Sequence, residues 1–375
     1  SALLGNRHLN VFVNDAPDKH IWPSATAVAS STTTTSCSST DPAETASSSS
    51  YFLPELIPLV ASRLTTLQDF FALRATCRTY RALLPLSPSN LASQALLLLV
   101  PHKVSSSEAL FHIPLHRILR FRLPRTALAQ HDPSNAEFDS FGCRVAIEDS
   151  DAMGSHRELH ICHLLTGERV RLPDALKYYY EGIIFAGDLI LSFNRYHYHN
   201  TVHYCRHCRE ARCDEGYRFR DPIFVTGTLY ALIYPNHCLA VIELDNNSVV
   251  LLFLGGEPSA EIVQNCSMLR LAECRGELLL VTAVSYPVGY HVFQWQSDNR
   301  KWVRTTTLGG CSLFFNILQF AGCLGPDHPT VRGNCLYIIK SNGQCIKYSL
   351  VDGSSHELVV DYPARPRAWV LPSIC

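Results

Sequence analysis

The chain has 375 residues, of which 47% are hydrophobic, 10% aromatic and only 17% charged. That length can bury a large core, and the charged fraction lies below the roughly 25% usual in soluble proteins. With 32 Lys plus Arg against 33 Asp plus Glu, the formal net charge of −1 leaves no basic excess for a phosphate backbone, so no nucleic-acid partner is expected. The longest purely aliphatic run, Ala95–Val100, is far short of the ~20 residues that span a bilayer, and no membrane partner is expected either.

Residues 1–50 come first. Ser, Thr and Ala dominate 24–50 and cannot bury a core, so 1–50 reads as a disordered leader. Its serine content leaves a transit peptide as the alternative. Against that stand Asp15, Asp18, Asp41 and Glu44, with Arg7 the only arginine before residue 63. The fifteen cysteines are odd in number and scattered through apolar runs, and no secretory signal opens the chain. Reduced thiols packed as small core residues are expected, which implies cytoplasm, nucleus or both.

Residues 51–86 read as three short helices. Pro54 suits a first helical turn, Pro58 shortens it, and Leu56, Val60 and Leu64 fall on one face at i, i+4, i+8 with Ile57 beside them. Thr66 followed by Asp69 resembles a capping box that opens a second helix carrying Phe70, Phe71 and Leu73. A third runs from about Cys77 to Leu84 and is ended by Pro85, while Arg74, Arg78 and Arg81 form a solvated basic stripe. About 35 residues is below the size that holds a core alone, so this module either caps the next domain or offers apolar surface to another protein.

Leu53-Pro54-Glu55-Leu56-Ile57, Val60-Ala61-Ser62-Arg63-Leu64 and Leu73-Arg74-Ala75-Thr76-Cys77-Arg78-Thr79-Tyr80-Arg81 together resemble an F-box. That resemblance implies docking on a Skp-type adaptor, and through it a cullin, of an SCF-type (Skp-cullin-F-box) ubiquitin ligase. Matched position by position, the implied adaptor-facing residues are Leu53, Pro54, Leu56, Ile57, Val60, Leu64, Leu73, Cys77 and Tyr80. Pro58 stands where the family has a helix former, and Tyr80 where it usually has Trp.

Residues 95–375 carry an internal repeat. Gly142, Gly187, Gly227, Gly276 and Gly333 each precede an apolar strand, at spacings of 45, 40, 49 and 57 residues. Several copies continue into a second strand and a tight turn, as in Ala240–Leu244 before Asp245-Asn246 and Val292–Trp295 before Asp298-Asn299. Third strands follow at Ser248–Phe253 and Lys301–Arg304. Strand–turn–strand units at a period of ~40–50 residues point to the blades of a β-propeller. A further unit at Ala109–Arg125 brings the expected number to about six. The fold expected is therefore mostly β with a small α module: a three-helix F-box, then a propeller of about six blades. A β-sandwich with irregular hairpins is the alternative.

His163–Pro173, Trp302–Arg304 with Leu308–Phe315, Val331–Ile338 and Trp369–Pro372 are similar to a large plant family in which an F-box precedes a KIB-type propeller. The segment 195–217 lies outside that pattern and reads as a polar inter-blade loop. Within it, Cys205 and Cys208 form C-x-x-C, and His203 or Cys213 could complete a tetrahedral zinc site, but a second pair is missing and no metal or other cofactor is expected. Nucleophile-elbow, P-loop and zinc-protease motifs are absent, so no enzyme activity is expected. The resulting expectation is a substrate-recognition subunit of an SCF-type ligase whose propeller binds an unidentified target protein. The alternatives are a propeller scaffold with a decayed F-box, or a propeller that binds or hydrolyses a small ligand.

Overall fold

A computed structural model describes residues 53–101, 108–119, 140–150, 157–172, 182–186, 189–193, 201–205, 209–212, 218–245, 248–258, 266–285, 288–317, 319–360 and 365–374. The chain divides into two units at Leu53/Pro54, and all described residues except Leu53 belong to the second. The leader expected at 1–50 lies outside the described residues.

Three short helices open this unit: α1 Leu56–Ala61, α2 Leu67–Ala75 and α3 Arg78–Leu83. Pro58 is the third residue of α1, where its missing N–H has no intrahelical acceptor, so the helix forms despite it. The cap expected at α2 is present. Thr66 Oγ1 accepts from the Asp69 N–H at 3.1 Å and donates to the Asp69 carboxylate at 2.6 Å. Cys77 caps α3 through Sγ, which accepts from the Tyr80 N–H at 3.3 Å.

The rest is a ring of short, mostly antiparallel sheets. The first is β1 Leu97–Pro101, β2 Glu108–His112 and β3 Arg117–Ile118. The second is β4 Ser140–Phe141, β5 Arg144–Ser150, β6 Arg157–His163 and β7 Arg169–Arg171. Then come β8 Gly182–Ala186, β9 Leu189–Phe193, β10 Thr201–Cys205 and β11 Arg209–Arg212. They are followed by β12 Arg218–Val225, β13 Thr228–Tyr234, β14 Cys238–Asp245 and β15 Ser248–Gly255. Next are β16 Cys266–Cys274, β17 Glu277–Ser285, β18 Val288–Gln296 and β19 Lys301–Thr305. The last group is β20 Ser312–Phe315, β21 Phe320–Leu324, β22 Cys335–Ile339, β23 Cys345–Ser349 and β24 Ser355–Glu357. Strand β25, Ala368–Val370, returns to pair with β1 (Leu98↔Trp369) and closes the first sheet with the far end of the chain.

The described strands form five hydrogen-bonded sheets, one fewer than the six or so expected. The difference is one contact, because β8–β11 and β12–β15 merge into an eight-stranded sheet through a single parallel pair, Arg212↔Ser248. Three further departures are instructive. The segment 195–217 is no loop where it is described, since β10 and β11 pair across it (Thr201↔Arg212). The sheet expected around 109–125 begins earlier, at Leu97, and its inner strand is β25. Lastly, Cys143 is disulfide-bonded, against the expectation of reduced thiols throughout, whereas eight other described cysteines are free.

Gly142, Gly227 and Gly276 mark the turn between the inner strand and its neighbour, and Gly187 lies outside the described residues. Thr226-Gly227 joins β12 to β13 and Arg275-Gly276 joins β16 to β17 as two-residue loops, with φ of 46° and 86°, and of 54° and 83°. Two consecutive left-handed residues match the twist of the flanking strands, and glycine adopts that conformation without a steric penalty. Gly333 differs. It precedes β22, which pairs in parallel with β20 after a crossover, so the fifth copy of the repeat is not an inner hairpin.

Core clusters lie between successive sheets, which explains why many strands are apolar on both faces. In β1, Leu97 and Leu99 join the cluster beneath the helices, while Leu98 and Val100 face Phe314, Tyr337 and Trp369 of the closing region. In β22, Leu336 and Ile338 face one neighbour and Cys335, Tyr337 and Ile339 the other. Trp369 is fully buried, its indole N–H donates to the Phe315 carbonyl at 3.0 Å, and its ring packs edge-on against Phe314 and Tyr337.

Candidate functional site

Three places in the described structure combine exposure or chemistry with a fixed frame, and the first is the helical module. Its inner face is committed to the chain's own core. Ile57 and Ala61 of α1, Leu67 and Phe70 of α2, and Leu84 and Leu91 pack against Leu97, Leu99, Leu110 and Val145. Polar bonds lock the same seam. The Gln94 side-chain amide donates to Leu64 O at 2.7 Å, the Ala95 N–H to Thr65 O at 3.0 Å, and the Arg74 Nε–H to Leu84 O at 2.9 Å. His112 also reaches Thr65 O through Nε2 at 3.3 Å. Its Nδ1 accepts from the Leu115 N–H, so Nε2 carries the proton, and burial lowers the imidazole pKa below its ordinary value.

The outer face is left open. Leu56 is 43% exposed, Leu59 61% and Val60 41%, whereas Ile57 is 2% exposed. One turn of helix separates the two environments, because positions 56, 59 and 60 share a face and 57 and 61 share the opposite one. Of the residues the F-box resemblance implies, Pro54, Leu56, Val60 and Cys77 are exposed, as is Leu53 at the end of the first unit. Leu64, Leu73 and Tyr80 are half-buried against the cluster beneath. Ile57 lies inside that cluster and offers nothing to another protein. Leu59 was not among the implied residues, yet it is the most exposed apolar side chain of α1. The helical period carried that signal, since 59 lies three residues from 56.

The second place is the centre of the ring. Inner strands β4, β8, β12 and β16 and the start of β21 surround a cavity of about 60 Å³ lined by Phe141, Phe185, Asp221, Leu271, Glu273 and Phe320 among others. A bulge between Arg220 and Ile223 turns Asp221 inward with a φ of 51°. Its carboxylate accepts from the Leu271 N–H and lies 3.9 Å from the Arg270 guanidinium, which ties β12 to β16. Glu273 is also engaged, accepting from the Gly276 N–H at 2.6 Å. Both carboxylates therefore brace backbone, and a cavity of this size holds no more than a few waters.

Where β16 and β21 approach each other, Cys274, Cys311 and Cys323 bring three sulfurs within 4.8 Å of one another. The Cys323 thiol donates to Cys274 Sγ at 3.5 Å. That hydrogen bond favours the Cys274 thiolate and brings its pKa down to about 7, while the same bond and burial push Cys323 up. Burial raises Cys311 to about 11. The C-x-x-C alternative is not built from described residues: Cys208 and Cys213 lie outside them, and of His203 and Cys205 only the backbone, on β10, is described.

Among solved structures, the chain is similar to a candidate 6-phosphogluconolactonase from Bacteroides uniformis, at 12% identity and a TM-score of 0.37, covering 73% of this chain and 98% of that one. It is also similar to a prolyl endopeptidase, at 14% identity and a TM-score of 0.36, covering 71% of this chain and 39% of that one. No curated protein matches. The family model described as the KIB1-4 β-propeller matches residues 110–360, and the chain belongs to that family.

Proposed function

We propose that this protein is a non-catalytic substrate receptor of an SCF-type ubiquitin ligase, in which the helices of residues 54–84 dock on a Skp-type adaptor and the propeller holds the target. The observation that carries this reading is the split character of α1. Ile57 and Ala61 anchor the helix on the propeller, while Leu56, Leu59 and Val60 remain uncovered side by side on its other face. An amphipathic helix with one face already seated and the other still apolar is suited to a second helical protein. The chemistry would then belong to other subunits. This chain contributes proximity, raising the target's effective concentration near the charged ubiquitin carrier. Asp221 and Glu273 each brace a backbone N–H, which favours a structural role for them over hydrolysis at the ring centre.

Co-expression with a Skp-type adaptor tests the reading. The wild type should co-purify with it, and Leu56→Asp combined with Val60→Asp should abolish this while the far-ultraviolet spectrum stays unchanged. Equal recovery of the adaptor with the double variant would refute the assignment of this face.

A further inference from the structure

We propose that Cys274, Cys311 and Cys323 form a binding site for one divalent thiophilic cation of the zinc class, held by three thiolates and one water. The three residues come from separate places. Cys274 is the last residue of β16, Cys311 precedes β20, and Cys323 lies in β21. They are 37 and 12 residues apart in sequence, so only the packing of two neighbouring sheets brings them together. Three sulfurs around one zinc at about 2.3 Å stand roughly 3.8 Å apart. The observed separations, 3.5 Å for Cys274–Cys323 and at most 4.8 Å for all pairs, bracket this value to within about 1 Å.

The frame around the sulfurs is rigid on the least local side. Cys311 closes a turn by donating its N–H to Leu308 O at 3.1 Å. The Asn334 side-chain carbonyl accepts from the N–H groups of Leu308 and Gly310 at 2.7 and 3.1 Å, and the Asn334 N–H donates to Cys311 O at 2.8 Å. One amide side chain thus holds the whole approach to Cys311, as a site held ready for a ligand requires.

Charge and coordination favour a divalent ion over Cu(I). Binding Zn²⁺ releases three thiol protons to solvent and leaves the set at −1, whereas Cu⁺ would leave −2. Arg275 follows Cys274 directly, and its guanidinium lies over Gly309 in the Cys311 turn, 3.6 Å from where a Cβ would stand. One nearby cation offsets the first charge and not the second, and uncompensated charge is costly where Cys274 and Cys311 are both buried. Among the described residues no fourth His, Cys, Asp or Glu joins the cluster. Cys323 is only partly buried, which leaves solvent access for a water in the fourth position.

The test uses the full chain, reduced and stripped of metal. Titration with Co²⁺ should give sulfur-to-cobalt charge transfer with tetrahedral visible bands, saturating at one ion per chain, and Zn²⁺ should displace it. Cys323→Ala should weaken binding at least tenfold, and Cys162→Ala, a buried free thiol outside the cluster, should leave it unchanged. Zn²⁺ should also slow maleimide labelling of Cys323 in the wild type, a readout that survives if a variant misfolds. No stoichiometric binding by the reduced wild type, or unchanged binding by a folded Cys323→Ala chain, would overturn the proposal. So would binding of Cu⁺ with none of Co²⁺ or Zn²⁺, or oxidation to a Cys274–Cys323 disulfide as the only chemistry found.

Discussion

Adjacent residues on α1 should answer the same truncation very differently. Ile57→Ala removes three carbon centres from a fully enclosed site; at ~0.8 kcal/mol each the transfer loss is about 2.4 kcal/mol. The cavity left between Leu67, Phe70 and the strands beneath adds roughly another 1 kcal/mol, for a total of about 3–4. Leu56→Ala removes the same number of carbons, but the site is 43% exposed and opens to solvent, so no cavity forms and about 1 kcal/mol is expected. Urea unfolding followed by circular dichroism separates the two, provided the m-value is unchanged and only the midpoint moves. If Leu56→Ala costs as much as Ile57→Ala, the outer face of α1 is covered by the chain itself and the docking argument collapses.

Three more outcomes follow from packing and charge. Trp369→Ala should cost about 3–5 kcal/mol, with up to ~1 more for the lost bond to Phe315 O, read as a lowered Tm, because β25 closes the first sheet through that ring. Gly227→Ala and Gly276→Ala share the same left-handed strain of about 1–2 kcal/mol. Gly276→Ala should cost more, since its Cβ would stand 3.1 Å from Thr226 Cγ2 while Gly227 has open space, and Thr226→Ser, which lacks that methyl, should recover the difference. Acidification should destabilise the fold from about pH 6.5 downward: burial lowers the pKa of His112, His163, His237, His291 and His328, so the unfolded chain takes up protons first. Full stability is present above the unfolded value and falls as pH drops below it. Thermal melts between pH 7.5 and 5 should show this, with a shallower slope for His112→Gln.

Local signals were legible wherever one short stretch carried the whole cause. The Thr66–Asp69 cap, the stop at Pro85 and the turn glycines 227 and 276 all act within a few residues of themselves. Strand runs such as Val292–Trp295 and Ser248–Phe253 were legible for the same reason, and each is a strand in the fold. The run Ala95–Val100 was harder, because a strand buried on both faces loses its alternation and looks like any apolar stretch. The polar segment at 201–212 failed in the opposite way, since pairing made strands of residues whose composition suggested a loop.

Residue order alone determined that this chain would be a ring of short meanders with a helical preface, because turn chemistry and apolar periodicity are properties of neighbours. Tertiary structure decided which side of α1 faces solvent, that the last strand closes the first sheet, and that Cys274, Cys311 and Cys323 meet although no short spacing links them as it links Cys205 and Cys208. Those outcomes depend on contacts between segments tens to hundreds of residues apart, and no local pattern encodes which of many distant apolar surfaces a given face will meet.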